Sequence, residues 1–511
     1  MCGILGFCSS EKKYQFKKYL ETLKHRGPDQ EGFFEEWQDN NIIQFGFRRL
    51  SIQDLSLLAN QPMSTDDGRF TIIFNGEIYN YIELKKELKI LGYKFKSSGD
   101  TEVLLKAWHK WGISTLDKIE GMFAFAIYDR LNKVIFLARD PYGIKPLYYI
   151  NSKEGFLFSS ELNSLSKMKN EASRYNKKVV AKYLVEGKYD RTEETFYDGI
   201  KRLLPGHFLQ FSITKKRLLT PKKWYNPSIK ENRNISYKTA CTDIRDIFLE
   251  SVKMQLRSDV PVGVSLSGGL DSSSVVSAIR YIYKDLTIKT FSFTTNQKLH
   301  DERKWIDVVN NRLGAISHFT SFEDYNLSEH LEDFIKAQGE PVNTLSYLAE
   351  FLVYNNAKEN KISVMLDGHG ADEILGGYSG YPVEKILSLY AKKDFMNLFN
   401  FIYNWSDWPG RNRIETLKHL ILAIASISKI DIENLKSIIK SWKNSKSLFS
   451  EEFMCELGGE KIFSNKKIEP IRCLIQKLKE DVTLGNCPPQ LRSADRSAMF
   501  RSIENRVPFL T

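Results

Sequence analysis

The sequence predicts two successive folds in one chain: a sheet-rich α+β domain, then an α/β domain on a parallel sheet that ends in a helical part. Three observations carry this. Short β-like runs separated by turns dominate residues 1–215, the composition turns polar over 216–239, and from 240 onward strands and helices alternate. In the first part, strands are expected at Arg69–Asn75, Met122–Tyr128, Lys133–Ala138 and Phe208–Ile213. Amphipathic helices are expected at Lys12–Leu23 and Tyr81–Leu91. The stretch 216–239, with Pro221, Pro227 and several Lys and Asn, reads as a linker. Beyond it, Val260–Leu266 reads as a buried strand and Ser272–Tyr283 as a helix. Leu286–Phe293, Asp301–Leu313 and Ile362–Leu366 continue as strand, helix and strand. Strands alternating with helices imply a parallel sheet, whose ligands bind at the carboxyl ends of the strands. Val383–Cys487 is mostly helical in pattern.

Composition narrows the function classes. At roughly 100–200 residues per domain, a chain of this length holds two to four domains. With 32 Phe, 24 Tyr and 8 Trp among 511 residues, there is too much apolar surface to bury for the whole chain to be disordered. No apolar run is long enough to span a membrane, and the most apolar stretch, His419–Ile430, reads as a buried helix. The segment Met1-Cys2-Gly3-Ile4-Leu5-Gly6 has no basic residues ahead of its apolar ones and does not read as a secretion signal. The six cysteines lack CxxC spacing, which fits a reducing cytoplasm better than a disulfide framework or a zinc site. The net charge of +11 comes from Lys and Arg spread along the chain, so a solvated basic surface is expected and no nucleic-acid partner.

Cys2 is the first candidate for chemistry. Loss of Met1 leaves a thiol and a free α-amine on one residue, a nucleophile and its base in one unit. The two groups ordinarily titrate at about 8.5 and about 7.7–8.0, so proton transfer between them is nearly balanced. Asn75-Gly76 follows an apolar strand and offers a side-chain amide and a backbone N–H as an oxyanion hole, although the same dipeptide is also a hairpin-turn signal. Arg49 and Asp100, taken alone, also read as surface charges. Further on, Ser265-Leu266-Ser267-Gly268-Gly269-Leu270-Asp271-Ser272-Ser273 joins a strand to a helix. Its glycines permit close backbone approach, and the helix start attracts an anion. It lacks the GxxxxGK[ST] pattern and is no Walker A loop.

Together, Met1-Cys2-Gly3-Ile4, Arg26-Gly27-Pro28-Asp29, Arg49-Leu50-Ser51-Ile52, Asn75-Gly76-Glu77-Ile78-Tyr79-Asn80, Gly99-Asp100-Thr101-Glu102 and Arg139-Asp140-Pro141-Tyr142-Gly143 resemble the glutaminase domain of class II amidotransferases, the N-terminal-nucleophile hydrolases. The Ser267–Ser272 loop resembles that of ATP pyrophosphatases. In this order, and with Arg501-Ser502-Ile503-Glu504-Asn505-Arg506-Val507-Pro508-Phe509-Leu510, the chain resembles glutamine-hydrolysing asparagine synthetases. The resemblance implies an αββα glutaminase domain over 1–215, a linker over 216–239 and an ATP-pyrophosphatase-like synthetase domain over 240–511.

The same resemblance implies that Cys2 attacks the glutamine amide while Asn75 and Gly76 hold the oxyanion. Arg49 holds the glutamine carboxylate, and Glu77 and Asp100 its α-ammonium. Ammonia then crosses a tunnel to a carboxylate, aspartate or a related one, activated by ATP. ATP binding falls to Leu266, Ser267, Gly268, Gly269, Asp271, Ser272, Phe293 and the Asp367-Gly368-His369 turn, and Mg²⁺ to Asp271 and Asp372. A homodimer is left open. Two departures stand out. Asp367 and His369 replace the family's Ser and Glu, which keeps open a sugar acid as acceptor or a non-synthesising partner that binds glutamine or nucleotide. The family also continues past Pro-Phe-Leu-Asp to a pyrophosphate-binding Lys, so a truncated synthetase half is expected here.

Overall fold

The computed structural model describes residues 2–11, 15–169, 174–232, 234–297, 301–405, 420–421, 423 and 473–511. It divides into two compact units. One comprises Met1–Asn176, Gly187–Gly370 and Thr483–Thr511, and the other Lys177–Glu186 and Ala371–Val482.

The first unit opens with two antiparallel sheets. One contains β1 (Gly3–Ser9), β2 (Gln30–Gln38), β3 (Asn41–Arg49), β8 (Tyr148–Ser152), β9 (Gly155–Ser159) and β10 (Lys201–Arg202), in the order β10-β8-β9-β1-β3-β2. The other contains β4 (Met63–Ser64), β5 (Phe70–Ile78), β6 (Gly121–Asp129), β7 (Val134–Arg139), β11 (His207–Ser212) and β12 (Arg217–Leu218), in the order β12-β11-β7-β6-β5-β4, with β13 (Lys222–Lys223) also on β11. The sheets face each other across one core, where Ile4, Ile43 and Phe45 meet Ile73, Ala124, Ala126 and Leu137. Helices α1 (Phe16–Glu21) and α4 (Leu162–Met168) cover the outside of the first sheet through Phe16, Leu20, Leu162 and Leu165. Helices α2 (Tyr81–Ile90) and α3 (Asp100–Trp111) cover the second through Leu84, Leu88, Leu104 and Trp108. The result is the four-layer αββα arrangement. Central strands such as β5, buried on both faces, are runs of Phe, Ile and Thr. The edge strand β2 alternates with Glu31, Phe33, Glu35 and Trp37 outward, so polar and apolar residues mix on both faces and its apolar signal is weak.

A third sheet in the same unit is wholly parallel: β16 (Ile316–Thr320), β15 (Lys289–Phe293), β14 (Val262–Ser265), β17 (Val364–Leu366) and β18 (Glu504–Arg506), in that order. It alternates with α6 (Tyr237–Gln255), α7 (Leu270–Ile282), α8 (Arg303–Leu313), α9 (Leu327–Gln338) and α10 (Ser346–Glu359), and α15 (Cys487–Phe500) precedes β18. Val353, Tyr354 and Ala357 of α10 and Ala498 of α15 pack on Phe291 and Met365 of the sheet. β14 and β17 are neighbours, with Val264 paired to Leu366, so the loops leaving their carboxyl ends emerge side by side.

The second unit contains α5 (Lys177–Glu186), α11 (Ala371–Leu375), α12 (Tyr381–Ala391), α13 (Phe395–Trp405) and, but for Thr483, α14 (Leu474–Thr483). The helical reading of 383–487 therefore holds where it is described, and the expected helix at 419–430 lies almost wholly outside the described residues. Cys2, Cys8, Cys241, Cys473 and Cys487 are all free thiols. Among the described residues no helix is long and apolar enough to cross a membrane.

Candidate functional site

Cys2 sits just before β1, buried at 8% exposure, where the core between the two sheets opens into a pocket. Its backbone N–H donates to Asn75 Oδ1 at 3.1 Å, and its thiol lies 4.0 Å from the Leu50 carbonyl oxygen. Burial pushes the thiol up, and the amino-terminal charge, the Leu50 contact and Arg49 offset this only in part. Burial therefore favours the neutral thiol at rest.

Asn75 and Gly76 end the buried run of β5. Asn75 is fully buried, its Nδ2 3.5 Å from Ser160 Oγ. A Cβ at Gly76 would fall 2.1 Å from the Met122 carbonyl oxygen on β6, so only glycine fits at this approach. The same pocket is lined by Arg49, Glu77 and Asp100. Asp100 begins α3, where its Oδ2 accepts from Ile78 N at 2.9 Å. Burial raises Asp100 to about 6 although the Ile78 N–H opposes the rise. Glu77 is pushed well above the usual carboxylate range, first by burial and then by the charges of Glu504 and Asp100. Its Oε2 has no hydrogen-bond partner among the described residues. Two buried carboxylates that resist ionisation make a pocket that gains most from a cationic ligand.

Arg49 and Arg48 point to opposite sides of β3. Arg48 pairs with Glu21 and Glu31, whereas Arg49 enters the pocket. The Arg49 guanidinium donates to Gln30 Oε1 at 2.9 Å, to the Ser56 carbonyl at 2.7 Å, and to the carbonyls of Gln53 and Asp54. A bound carboxylate has to share this guanidinium with those carbonyls. The glutaminase residues expected from sequence, Cys2, Arg49, Asn75, Gly76, Glu77 and Asp100, are thus brought to one place.

Sequence reasoning missed the residues that hold this site against the parallel sheet. Arg26 donates through Nε to the Cys2 carbonyl oxygen at 3.1 Å, and pairs with Glu161 at 2.7 Å and Asp495 at 2.9 Å. Lys145 also reaches Asp495, at 3.3 Å. From β18, Arg506 lies 3.7 Å from Glu77 and 2.5 Å from Glu504. The only sequence signal for these was the unassigned charge in the quoted Arg26 and Glu504–Arg506 motifs.

At the carboxyl end of β14, Gly268 adopts a left-handed φ of 82°, and a Cβ there would meet Trp305 Cβ at 3.0 Å and Ile306 N at 3.1 Å. Ser267 Oγ lies 3.1 Å from Ser272 Oγ and accepts from Gly269 N at 3.3 Å, tying the loop to the first turn of α7. Asp271 is in that turn. Leu266 is buried, and Phe293 packs edge-on to Phe322. The loop after β17 abuts this turn: a Cβ at Gly368 would lie 3.0 Å from Ser272 N and 3.2 Å from Asp271 Cβ. Asp367, Gly368 and His369 therefore sit beside Asp271 and Ser272. His369 Nδ1 is 2.9 Å from Asp367 Oδ1. Asp372 lies in the second unit, where its backbone carbonyl accepts from Gly376 N at 2.9 Å and Gly377 N at 3.0 Å, and burial raises its carboxyl.

An amino-terminal-cysteine sandwich and a parallel sheet with a glycine-rich strand-to-helix loop follow one another in this chain. The glutamine amidotransferase domain matches residues 1–225 and the asparagine synthase domain matches residues 243–511. The chain belongs to the asparagine synthase family. It is 35% identical over 404 residues to glutamine-hydrolyzing asparagine synthetase 1 of Bacillus subtilis, a match covering 76% of this chain and 62% of that protein. To a putative glutamine-hydrolyzing asparagine synthetase 2 of Methanocaldococcus jannaschii it is 33% identical, over 76% of this chain and 78% of that one. A third relative, glutamine-hydrolyzing asparagine synthetase 2 of Bacillus subtilis, matches along 100% of this chain and 65% of its own length at 28% identity.

Proposed function

We propose that this chain is a glutamine-dependent carbon–nitrogen ligase that converts aspartate to asparagine at the expense of ATP. The observation that carries the reading is the convergence of Cys2, Asn75, Gly76, Arg49, Glu77 and Asp100 on one pocket, in the same compact unit as the Ser267–Ser272 loop. The names of the relatives support aspartate as the acceptor over a sugar acid.

With Met1 removed, the Cys2 α-amine takes the thiol proton and the sulfur attacks the glutamine amide carbon. The carbonyl oxygen becomes an oxyanion held by Asn75 Nδ2 and the Gly76 N–H; each such donor contributes about 2.7–4 kcal/mol. Glu77 and Asp100 take the α-ammonium, which restores their ionised state, and Arg49 takes the carboxylate. The proton held by the α-amine passes to the leaving nitrogen, ammonia departs, and water cleaves the thioester. In the second half the backbone of Ser267–Gly269 and the start of α7 cradle the ATP phosphates. Asp271, in the first turn of α7, supplies a hard oxygen donor of the kind Mg²⁺ takes. Magnesium supplies charge neutralisation of the phosphates when bound. ATP activates the acceptor carboxylate with release of pyrophosphate, and ammonia displaces AMP.

Cys2→Ala tests the assignment. It is expected to abolish glutamine hydrolysis while asparagine still forms from ammonium, aspartate and ATP, with pyrophosphate released in step. Hydrolysis of glutamine by Cys2→Ala refutes the nucleophile, and no pyrophosphate release by the unmodified chain with any carboxylate refutes the ligase.

A further inference from the structure

A cavity of about 340 Å³ lies at the starts of α10 and α15, and it shares no residue with the Cys2 pocket or the Ser267–Ser272 loop. Both helices lead into strands of the parallel sheet, α10 into β17 and α15 into β18, so their first turns lie at its carboxyl edge. Open α/β sheets hold ligands along that edge. Tyr347 enters the cavity from α10, and Pro489 and Gln490 enter it from α15. The segment from Gly187 to Arg191, which precedes β10 of the sandwich, closes it.

Hydrogen bonds tie these walls to one another. Asn343 Nδ2 donates to the Gly187 carbonyl oxygen at 3.5 Å, and Asn343 Oδ1 accepts from the Tyr189 hydroxyl at 3.4 Å. The Tyr189 and Tyr347 hydroxyls also share a hydrogen bond. Arg492 packs over the Tyr189 ring at 4.8 Å, and this ring is only 6% exposed, so it is held in place. A preformed cavity spares a ligand the cost of ordering its walls.

The lining sets the chemistry of an occupant. Tyr189, Tyr347 and Pro489 present flat apolar surfaces that a ring can pack on. Lys188 and Arg191 stand at the cavity, and no carboxylate lines it. The neighbouring carboxylates Asp190 and Glu340 are paired with Arg202 and Arg492. Arg191 donates to the neutral amide of Asn486 at 3.3 Å, so an anion can approach its guanidinium without displacing a carboxylate. The volume lies within the range of small-molecule sites, about 300–1,000 Å³.

We propose that this cavity binds a small aromatic anion, with its ring against Tyr189, Tyr347 and Pro489 and its carboxylate or phosphate on Lys188 and Arg191. An occupant touches the 187–191 segment, α10 and α15 at once, so its binding stabilises the folded chain. The site is separate from the glutamine and ATP sites and stands whether or not the ligase reading does.

The test uses the full chain and two probes, benzoate and phenyl phosphate, which separate a carboxylate from a phosphate. Binding is read from broadening of the probe's NMR signals and from the thermal unfolding midpoint. At least one probe is expected to bind and to raise the midpoint, whereas benzyl alcohol, with the same ring and no charge, does neither. Lys188 and Arg191 are exposed, so their alanine variants should fold and hydrolyse glutamine as the unmodified chain does. Lys188→Ala and Arg191→Ala are each expected to weaken binding at least about tenfold, as loss of a hydrogen bond to a charged group does. Glutamine, aspartate and ATP, added singly, should leave the probe bound. The proposal is overturned if neither probe binds, if benzyl alcohol binds equally well, or if the double alanine variant keeps full affinity. Displacement of the probe by glutamine, aspartate or ATP also overturns it, because the probe then occupies a reaction centre.

Discussion

Arg26 and Asp495 form a buried ion pair at 2.9 Å that joins the turn behind Cys2 to α15. Arg26 also donates to the Cys2 carbonyl oxygen, so α15 takes part in fixing the position of the sulfur. Lys145, fully buried, converges on the same carboxylate. Removing one partner of such a set leaves uncompensated buried charge.

Asp495→Asn is therefore expected to cost about 3–5 kcal/mol of stability. Urea unfolding at neutral pH measures this. Glutamine hydrolysis should fall as well, since Arg26 is released from one of its anchors. The double variant Asp495→Asn with Lys145→Met should regain part of the lost stability; no recovery means that the charge imbalance is not the cause.

Asn75→Ala removes the proposed oxyanion donor and, at the same time, the acceptor of the Cys2 N–H. The donor alone predicts a fall in glutaminase kcat of about 10²–10³-fold. Steady-state glutaminase kinetics check this. A change in KM with kcat unaltered would place Asn75 in ground-state binding instead.

The glutaminase pocket was legible in the sequence because its residues announce themselves locally. Cys2 stands at the chain start, Asn75-Gly76 ends an apolar run, and Asp100 opens a helix. What surrounds them was not legible, because it is long-range. Nothing near Arg26 in the sequence points to Asp495, and nothing near His369 points to Glu350. The same holds for the fold. The apolar strands β5, β6, β7 and β11 were foreseen to within a few residues. β2 mixes Glu and aromatic residues on its outward face, and β18 is Glu-Asn-Arg, a buried strand whose Arg506 pairs with Glu504 and approaches Glu77. Polar composition also gave no sign of β12 and β13, which pair onto β11 within the stretch read as a linker.

Asp100 makes stability fall as pH rises. Burial lifts it from 3.8 to about 6, so the folded chain binds the proton more tightly than the unfolded one between those values. Unfolding free energy should decline through that window, by an amount of order 2–3 kcal/mol from this group. Glu77 is shifted the same way. Asp100→Asn should flatten this part of the stability profile and raise KM for glutamine, because the α-ammonium loses a counter-charge. Denaturation midpoints at a series of pH values, set beside glutaminase KM, test both. An Asn variant with the original slope would show that the slope arises elsewhere.

Glu340 works in the opposite sense. Burial alone would raise it, but Arg492, Arg202 and Arg496 hold it down at about 2. Arg492 Nη1 and Arg496 Nη2 donate to Oε2 at 2.9 and 3.0 Å, and Arg202 approaches Oε1 at 3.4 Å. A depressed carboxylate contributes stability that is complete above its unfolded value and is lost as pH falls from about 4.5 towards 2. Arg202 precedes β11 in the sandwich, while Arg492 and Arg496 lie on α15, so the cluster fastens the two folds of the first unit. Glu340→Gln leaves three buried guanidiniums short of a counter-charge and should cost about 3–5 kcal/mol at neutral pH. The deficit should shrink below about pH 4.5, because the unfolded chain takes up a proton at this carboxyl that the folded chain, held at about 2, does not. A constant difference between the two proteins from pH 7 to pH 3 would show that folding does not depress Glu340.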